Sequence, residues 1–225
     1  MSFAALNERI EAVPAPVRGI LLIVLASAFF AAMHNTIRFL SVTEDIHPFE
    51  MAFFRVAFGL IVFIPFFVRS GVGILRTHKF SWHFGRAFLN AASMLSWFTA
   101  LSLMPVGDAT AVSLIGPVFV AILAMIFLGE HVGPMRWLGI GLAVFGGLIV
   151  VRPGFVDISS GVWFVLFSAF AVSFSKLIAK ILTGHDNPTT IVAYMTILMT
   201  PIMFVPAFFV WQTPTLYQLF FMALI

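Results

Sequence analysis

Arg55 lies inside an apolar run, where a centrally placed arginine costs roughly 2.5–3.5 kcal/mol on membrane-insertion scales. Such a charge needs compensation. Glu50, five residues earlier, Asp108 or backbone carbonyls would make it a structural pair; otherwise it serves a solute path or a gate. His34, Asn35 and Arg38 cluster in the first apolar run, with His34 and Arg38 one turn apart on one helical face. They suit a polar path, and because imidazole titrates near pH 6.5, His34 is a candidate for proton coupling. The plainer alternatives are pairing of Arg38 with Glu44 or Asp45 and simple packing of His34. Asn90, Ser93 and Trp97 recur at steps of three and four, a stripe of hydrogen-bonding groups ending in an indole. That stripe is either the wall of a cavity for a polar organic solute or a set of interhelical hydrogen bonds worth about 0.6 kcal/mol each. Tyr194, with Thr190 and Thr196, is a further polar handle.

Gly116-Pro117 interrupts another apolar run. Proline removes an amide donor, so the freed carbonyls must face protein or a wet cavity, and the helix kinks there. Gly139, Ala143 and Gly147 recur every four residues, a small-residue stripe that lets a neighbouring helix approach. The expected occupant of that groove is a last helix of the second half of the protein or a second subunit. Glu130, His131 and Arg136 read as an interfacial clasp, and Lys176 and Lys180, one turn apart, as snorkelling cations.

The elements that position these groups follow from composition. The chain has 225 residues, 61% apolar and 9% charged, with a mean hydropathy of +1.09, whereas soluble domains carry about 25% charged residues. Phenylalanine outnumbers tyrosine 28 to 2, as suits a hydrocarbon solvent. Cysteine is absent, which removes disulfides, thiolate metal sites and cysteine nucleophiles. No HExxH, no GxSxG and no close pair of embedded carboxylates is present, so an intramembrane enzyme is disfavoured. The partners implied are a lipid bilayer and a small-molecule substrate, with no nucleic acid, cofactor or metal.

A bilayer core of about 30 Å needs roughly 20 apolar residues. Runs of that size cover 19–40, 49–68, 85–104, 109–128, 134–151, 161–182 and 189–211, and an eighth begins near Leu216. The sequence therefore predicts an all-α membrane bundle with seven complete spans and the start of another. Arg9, Arg18, Arg69, Arg76, Lys79, Arg86, Arg136, Lys176 and Lys180 fall at one set of span ends, and Arg152 alone at the other, which places the N-terminus in the cytoplasm. The stretch 1–17 is polar, broken by prolines and not a signal peptide. Ser27-Ala28-Phe29 recurs as Ser168-Ala169-Phe170, Pro65-Phe66-Phe67-Val68 loosely as Pro206-Ala207-Phe208-Phe209-Val210, and His47-Pro48 is echoed by Asn187-Pro188. Five spans separate the copies, so the second enters the membrane from the opposite side, an inverted-topology repeat of the kind secondary transporters use. The halves are 18–151 and 152–225, and repeat logic places the end of a complete second copy about 67 residues beyond Ile225.

Asp108-Ala109-Thr110-Ala111 through Gly116-Pro117-Val118-Phe119 to Leu128-Gly129-Glu130, then Arg136-Trp137 and Gly146-Gly147-Leu148-Ile149-Val150, resembles the EamA-like branch of the drug/metabolite transporter superfamily. Phe54-Arg55 and Trp97-Phe98-Thr99-Ala100-Leu101 resemble it too. The resemblance implies a multi-pass bacterial inner-membrane carrier of two five-helix halves, moving metabolites or amino acids, often in exchange for protons. In that family both halves contribute to the cavity, so the second half expected here, cut short in its third helix, leaves a non-transporting scaffold or inactive fragment as the rival reading.

Overall fold

The computed structural model describes residues 15–71, 75–151 and 159–225, and all regular structure among them is helical. The N-terminal stretch with Arg9, the Arg69 side chain, and Arg152 with the segment joining the two expected halves lie outside the described residues. The helices are α1 (Ala15–Thr43), α2 (Pro48–Ser70), α3 (Phe80–Leu103), α4 (Val106–Ser113), α5 (Gly116–Leu128), α6 (Pro134–Val151), α7 (Gly161–Leu182), α8 (Pro188–Phe209) and α9 (Leu216–Ala223). Five stretches are long and apolar enough to cross a membrane: α1, α2, the α4–α5 pair, α7 and α8. Helix α3 has the length, 24 residues, but it carries His83, Arg86 and Asn90. Helix α6 offers only the shorter apolar stretch Pro134–Ile149.

Local chemistry sets the ends. His47 and Asn187 precede prolines at the first helical position and adopt nearly the same extended backbone, φ −65°, ψ 134° and φ −64°, ψ 146°. Proline excludes its predecessor from the helical region and is itself preset for a first turn. Gly129 closes α5 at φ 63°, a left-handed cap that costs a glycine nothing.

The core is built on the α3–α7 pair, the most extensive helix contact in the molecule. Its register can be read from three contacts. A Cβ on Gly161 would lie 3.4 Å from the Ala100 carbonyl oxygen. The Ser168 carbonyl accepts from Ser93 Oγ at 2.9 Å, and the Arg86 carbonyl accepts from Ser175 Oγ at 3.2 Å. Positions 161, 168 and 175 step by seven along α7 while 100, 93 and 86 step by seven in the opposite sense along α3. The small residue that α7 places at each of these crossings lets the two antiparallel helices approach closely, so dispersion and hydrogen bonds replace the hydrophobic effect that lipid cannot supply. Ala87, Ala91, Met94, Phe98 and Leu101 extend the same buried stripe on α3.

The outside is apolar. Leu22, Val62 and Phe209 are 66%, 76% and 81% exposed, and on both faces of the first half of α1 large apolar side chains stand at the surface. In water such a surface would aggregate; in hydrocarbon it is the solvated face.

The small-residue stripe of α6 has found a partner at one end. A Cβ on Gly147 would sit 2.7 Å from the Ala111 carbonyl oxygen of α4, while Gly139 has nothing within 4 Å. The Gly147 groove is thus occupied by α4 of the same chain, which lies next to α6 because the broken fourth run turns toward it, rather than by a later helix or a second subunit. Gly147→Ala will therefore lower thermal stability by about 1–3 kcal/mol, whereas Gly139→Ala will be neutral or slightly stabilising. Melting curves of the two purified variants in one detergent check this, and equal shifts would contradict it.

Candidate functional site

The fourth apolar run is two helices. After α4 the amides of Leu114, Ile115 and Val118 bond three residues back, to Ala111, Val112 and Ile115, a tightening that carries the chain past Pro117. Proline offers no amide to the Ser113 carbonyl, and Ser113 lies on a cavity wall. The Gly116 carbonyl is held from across the bundle by Ser173 Oγ at 3.3 Å. The interruption at Gly116-Pro117 is therefore turned inward, toward polar groups rather than lipid.

That wall belongs to a cavity of about 810 Å³ lined by α1 through α7, a volume within the range of small-molecule sites. His34, Arg55, Asn90, Ser93, Trp97, Gly116 and Pro117 all line it. Asn35 and Tyr194 do not: Asn35 is exposed and donates to the Ala31 carbonyl of its own helix at 2.8 Å. Tyr194 instead stacks on His83 with centroids 4.5 Å apart and donates to the Leu75 carbonyl at 2.7 Å.

Within the cavity the groups divide into those spent on the scaffold and those left free. Ser93 is spent, since it bridges to both the carbonyl and the hydroxyl of Ser168. Trp97 Nε1 donates to His34 Nε2 at 3.3 Å, with the rings 5.3 Å apart and tilted by 60°. Indole nitrogen is only a donor, so His34 accepts here and its Nε2 carries no proton. Among the described residues Asn90 has only a long contact, 3.7 Å, to the sulfur of Met195.

Arg55 pairs with neither Glu50 nor Asp108. Its guanidinium reaches the sulfur of Met94 at 3.1 Å, a weak acceptor. Glu50 instead accepts from the Gln212 amide at 3.3 Å, because the first turn of α2 faces the α8–α9 loop. Arg55, Asn90 and Met94 also border a second cavity of about 600 Å³ against α8 and α9, so these three side chains form the partition between the two. Arg38, expected to pair with Glu44 or Asp45, donates to the carbonyls of Leu101 and Met104 at the end of α3.

Two wall residues were not anticipated as such. Arg136 and Lys176 face the cavity, whereas Lys180, one turn on, is taken by Glu130. The clasp at the α5–α6 turn is therefore made by Glu130 with Lys180 rather than with Arg136. The available signal was the lone acidic residue Glu130 set against several cations, of which it pairs with Lys180.

A second polar cluster ties the start of α3 to the α7–α8 loop. His83, 1% exposed, bonds Asp186 at 2.8 Å, and Thr77 Oγ1 donates to the same carboxylate oxygen at 2.8 Å. Desolvation raises the Asp186 pKa, but the hydrogen bonds from His83 and Thr77 and the charges of His83 and His185 outweigh it, and the group sits below the ordinary carboxylate value.

Residues 17–152, more than half of the chain and all of the first cavity wall except α7, match the EamA-like transporter family. The chain belongs to that family. This EamA-like chain is 32% identical over 185 residues to a riboflavin transporter of Rhizobium johnstonii, covering 82% of the chain and 61% of the relative. It is 28% identical to a riboflavin transporter of Vibrio cholerae, over 88% and 67%, and 32% identical to an S-adenosylmethionine uptake transporter of Rickettsia bellii, over 77% and 60%. The EamA-like chain thus spans about three fifths to two thirds of the length of these relatives. A solved crystal structure 17% identical to it superposes with a TM-score of 0.61 over 89% of this chain and 73% of its own, a likeness of fold.

Proposed function

We propose that the chain is part of a secondary-active transporter that moves a small polar metabolite across the bacterial inner membrane by alternating access. The observation that carries this is the 810 Å³ cavity: an open chamber in an apolar bundle whose wall carries His34, Arg55, Asn90, Ser93 and Trp97. Intramembrane ionisable residues mark solute or ion pathways by default. In this reading the N-terminus is cytoplasmic, 18–151 is a complete five-helix half and 152–225 a partial inverted copy. The matched proline-led starts of α2 and α8, and the interior prolines Pro65 and Pro206, support that pairing. The open face of α6 at Gly139 is where a further helix or a second subunit seats.

His34 couples the cycle to protons. Protonating its Nε2 turns an acceptor into a donor and breaks the bond from Trp97, so the cavity wall has two arrangements separated by one proton. Reconstituted into liposomes, the protein will accumulate one or more metabolites from a panel that includes riboflavin and S-adenosylmethionine, faster with a pH gradient than without. His34→Gln will keep flux within about tenfold of the parent while losing the gradient effect. No flux across the whole panel would leave the scaffold or inactive-fragment reading standing; flux with an intact gradient effect in His34→Gln would remove His34 from the coupling.

A further inference from the structure

Charge is distributed unevenly around the large cavity. Arg55, Arg136 and Lys176 line it, and no Asp or Glu does so among its described residues. The acidic groups nearest in sequence are committed elsewhere: Glu50 to the Gln212 amide, Glu130 to Lys180. Arg136 and Lys176 have no carboxylate partner among the described residues. The aromatic groups lie at the other end. From the crossing of Ser93 with Ser168, Trp97 is four residues along α3 in one direction and Lys176 eight residues along antiparallel α7 in the other. At 1.5 Å per residue the two are separated by about 18 Å along the axis. Arg55, in contact with Met94, stands about one turn from Trp97.

We infer that this cavity selects an anionic solute bearing a flat conjugated ring. Arg136 and Lys176 attract it at one mouth, and Arg55 holds the anionic group while the ring lies against Trp97 and Phe30. The inference rests on the carrier reading for its biological sense but not for its chemistry. A binding site with three cations and no counter-charge favours an anion by charge-assisted hydrogen bonds, and a mouth of one sign raises the encounter rate in a salt-dependent way. Neutral or cationic solutes of the same shape gain only the stacking.

Equilibrium dialysis of radiolabelled indole-3-acetate, indole-3-acetamide and tryptamine against the purified protein separates the cases, since the ring is constant and the charge is not. Indole-3-acetate will bind at least about tenfold more tightly than the amide, with tryptamine weakest. Arg55→Gln will bring the acid toward the amide, and the double variant R136Q/K176Q will slow acid binding at low salt and flatten its salt dependence. Trp97→Leu will weaken acid and amide alike, which a loss of charge would not do. Equal affinity of acid and amide in the parent protein, or an unchanged ratio in Arg55→Gln with circular dichroism matching the parent, overturns the inference. Anion-selective binding without any liposomal flux would instead retain the inference and remove the carrier reading.

Discussion

Arg55→Met will cut solute flux by about tenfold to a hundredfold while leaving the protein as stable as the parent or more so. The two signs come from one observation: the guanidinium, set in the first half of a membrane-crossing helix, has only the Met94 sulfur as a side-chain partner among the described residues. Charge-assisted hydrogen bonds contribute about 1.5–3 kcal/mol when made. A solute that supplies oxygen acceptors would make them here, about one turn from the indole of Trp97, which converts to the stated loss of flux. The folded protein without solute receives no such return, and on insertion scales arginine at a helix centre is disfavoured by about 2.5–3.5 kcal/mol. Methionine removes that cost, fills most of the volume and faces Met94 of the partition and Met195 and Met199 of the second cavity. A merely structural Arg55 requires the opposite, a destabilised variant whose surviving molecules still transport. Flux per folded molecule in liposomes, read beside thermal unfolding in detergent, decides between them.

What could be read in the sequence is what depends on local composition. Apolar runs, X–Pro helix starts and the Gly116-Pro117 break are near-neighbour chemistry, and the helices begin or break at those residues. Helix α3 was legible as a helix, but its polarity has a reason that appears only in three dimensions: Arg86, Asn90 and Ser93 are turned toward α7 and α8 rather than toward lipid. The heptad seam of Gly161, Ser168 and Ser175 is visible in the sequence only once α3 is known to be its partner. Pairing was the least legible layer. Glu50 lies near Arg55 in sequence yet faces the α8–α9 loop, and Arg38 finds carbonyls at the end of α3 rather than the carboxylates beside it. Asn35 and Tyr194 are polar residues in apolar helices, as are the cavity residues, but which face they occupy is set by neighbours far along the chain. Arg136 and Lys176 were legible as cations near span ends; that they face inward depends on Glu130 choosing Lys180.

Asp186→Ala will lower stability by about 2–3 kcal/mol without closing the cavity. The carboxylate joins three segments: it accepts from Thr77 ahead of α3, from His83 inside α3, and it sits in the α7–α8 loop. His83 is 1% exposed and its Nδ1 is already buried without a partner among the described residues, so removing Asp186 strands both ring nitrogens. A buried polar group left unsatisfied costs about 1–3 kcal/mol, and the Thr77 hydroxyl is freed as well. The pH dependence has a definite sign. Asp186 titrates below its ordinary value because hydrogen bonds and imidazole charge outweigh desolvation. Its contribution is therefore fully present above the unfolded carboxylate pKa of about 3.9, and it is lost as pH falls through the lower folded value. The stability gap between parent and Asp186→Ala should thus stay open from neutral pH to about pH 5 and close only in more acid solution. Transport is expected to follow a separate titration, because the imidazole of His34 and not Asp186 lines the cavity. Thermal melts and flux measured on the same preparations across pH 4–8 separate the two titrations. A flux profile that tracked the Asp186 stability gap would instead make this cluster, rather than the His34–Trp97 contact, the proton-sensitive element.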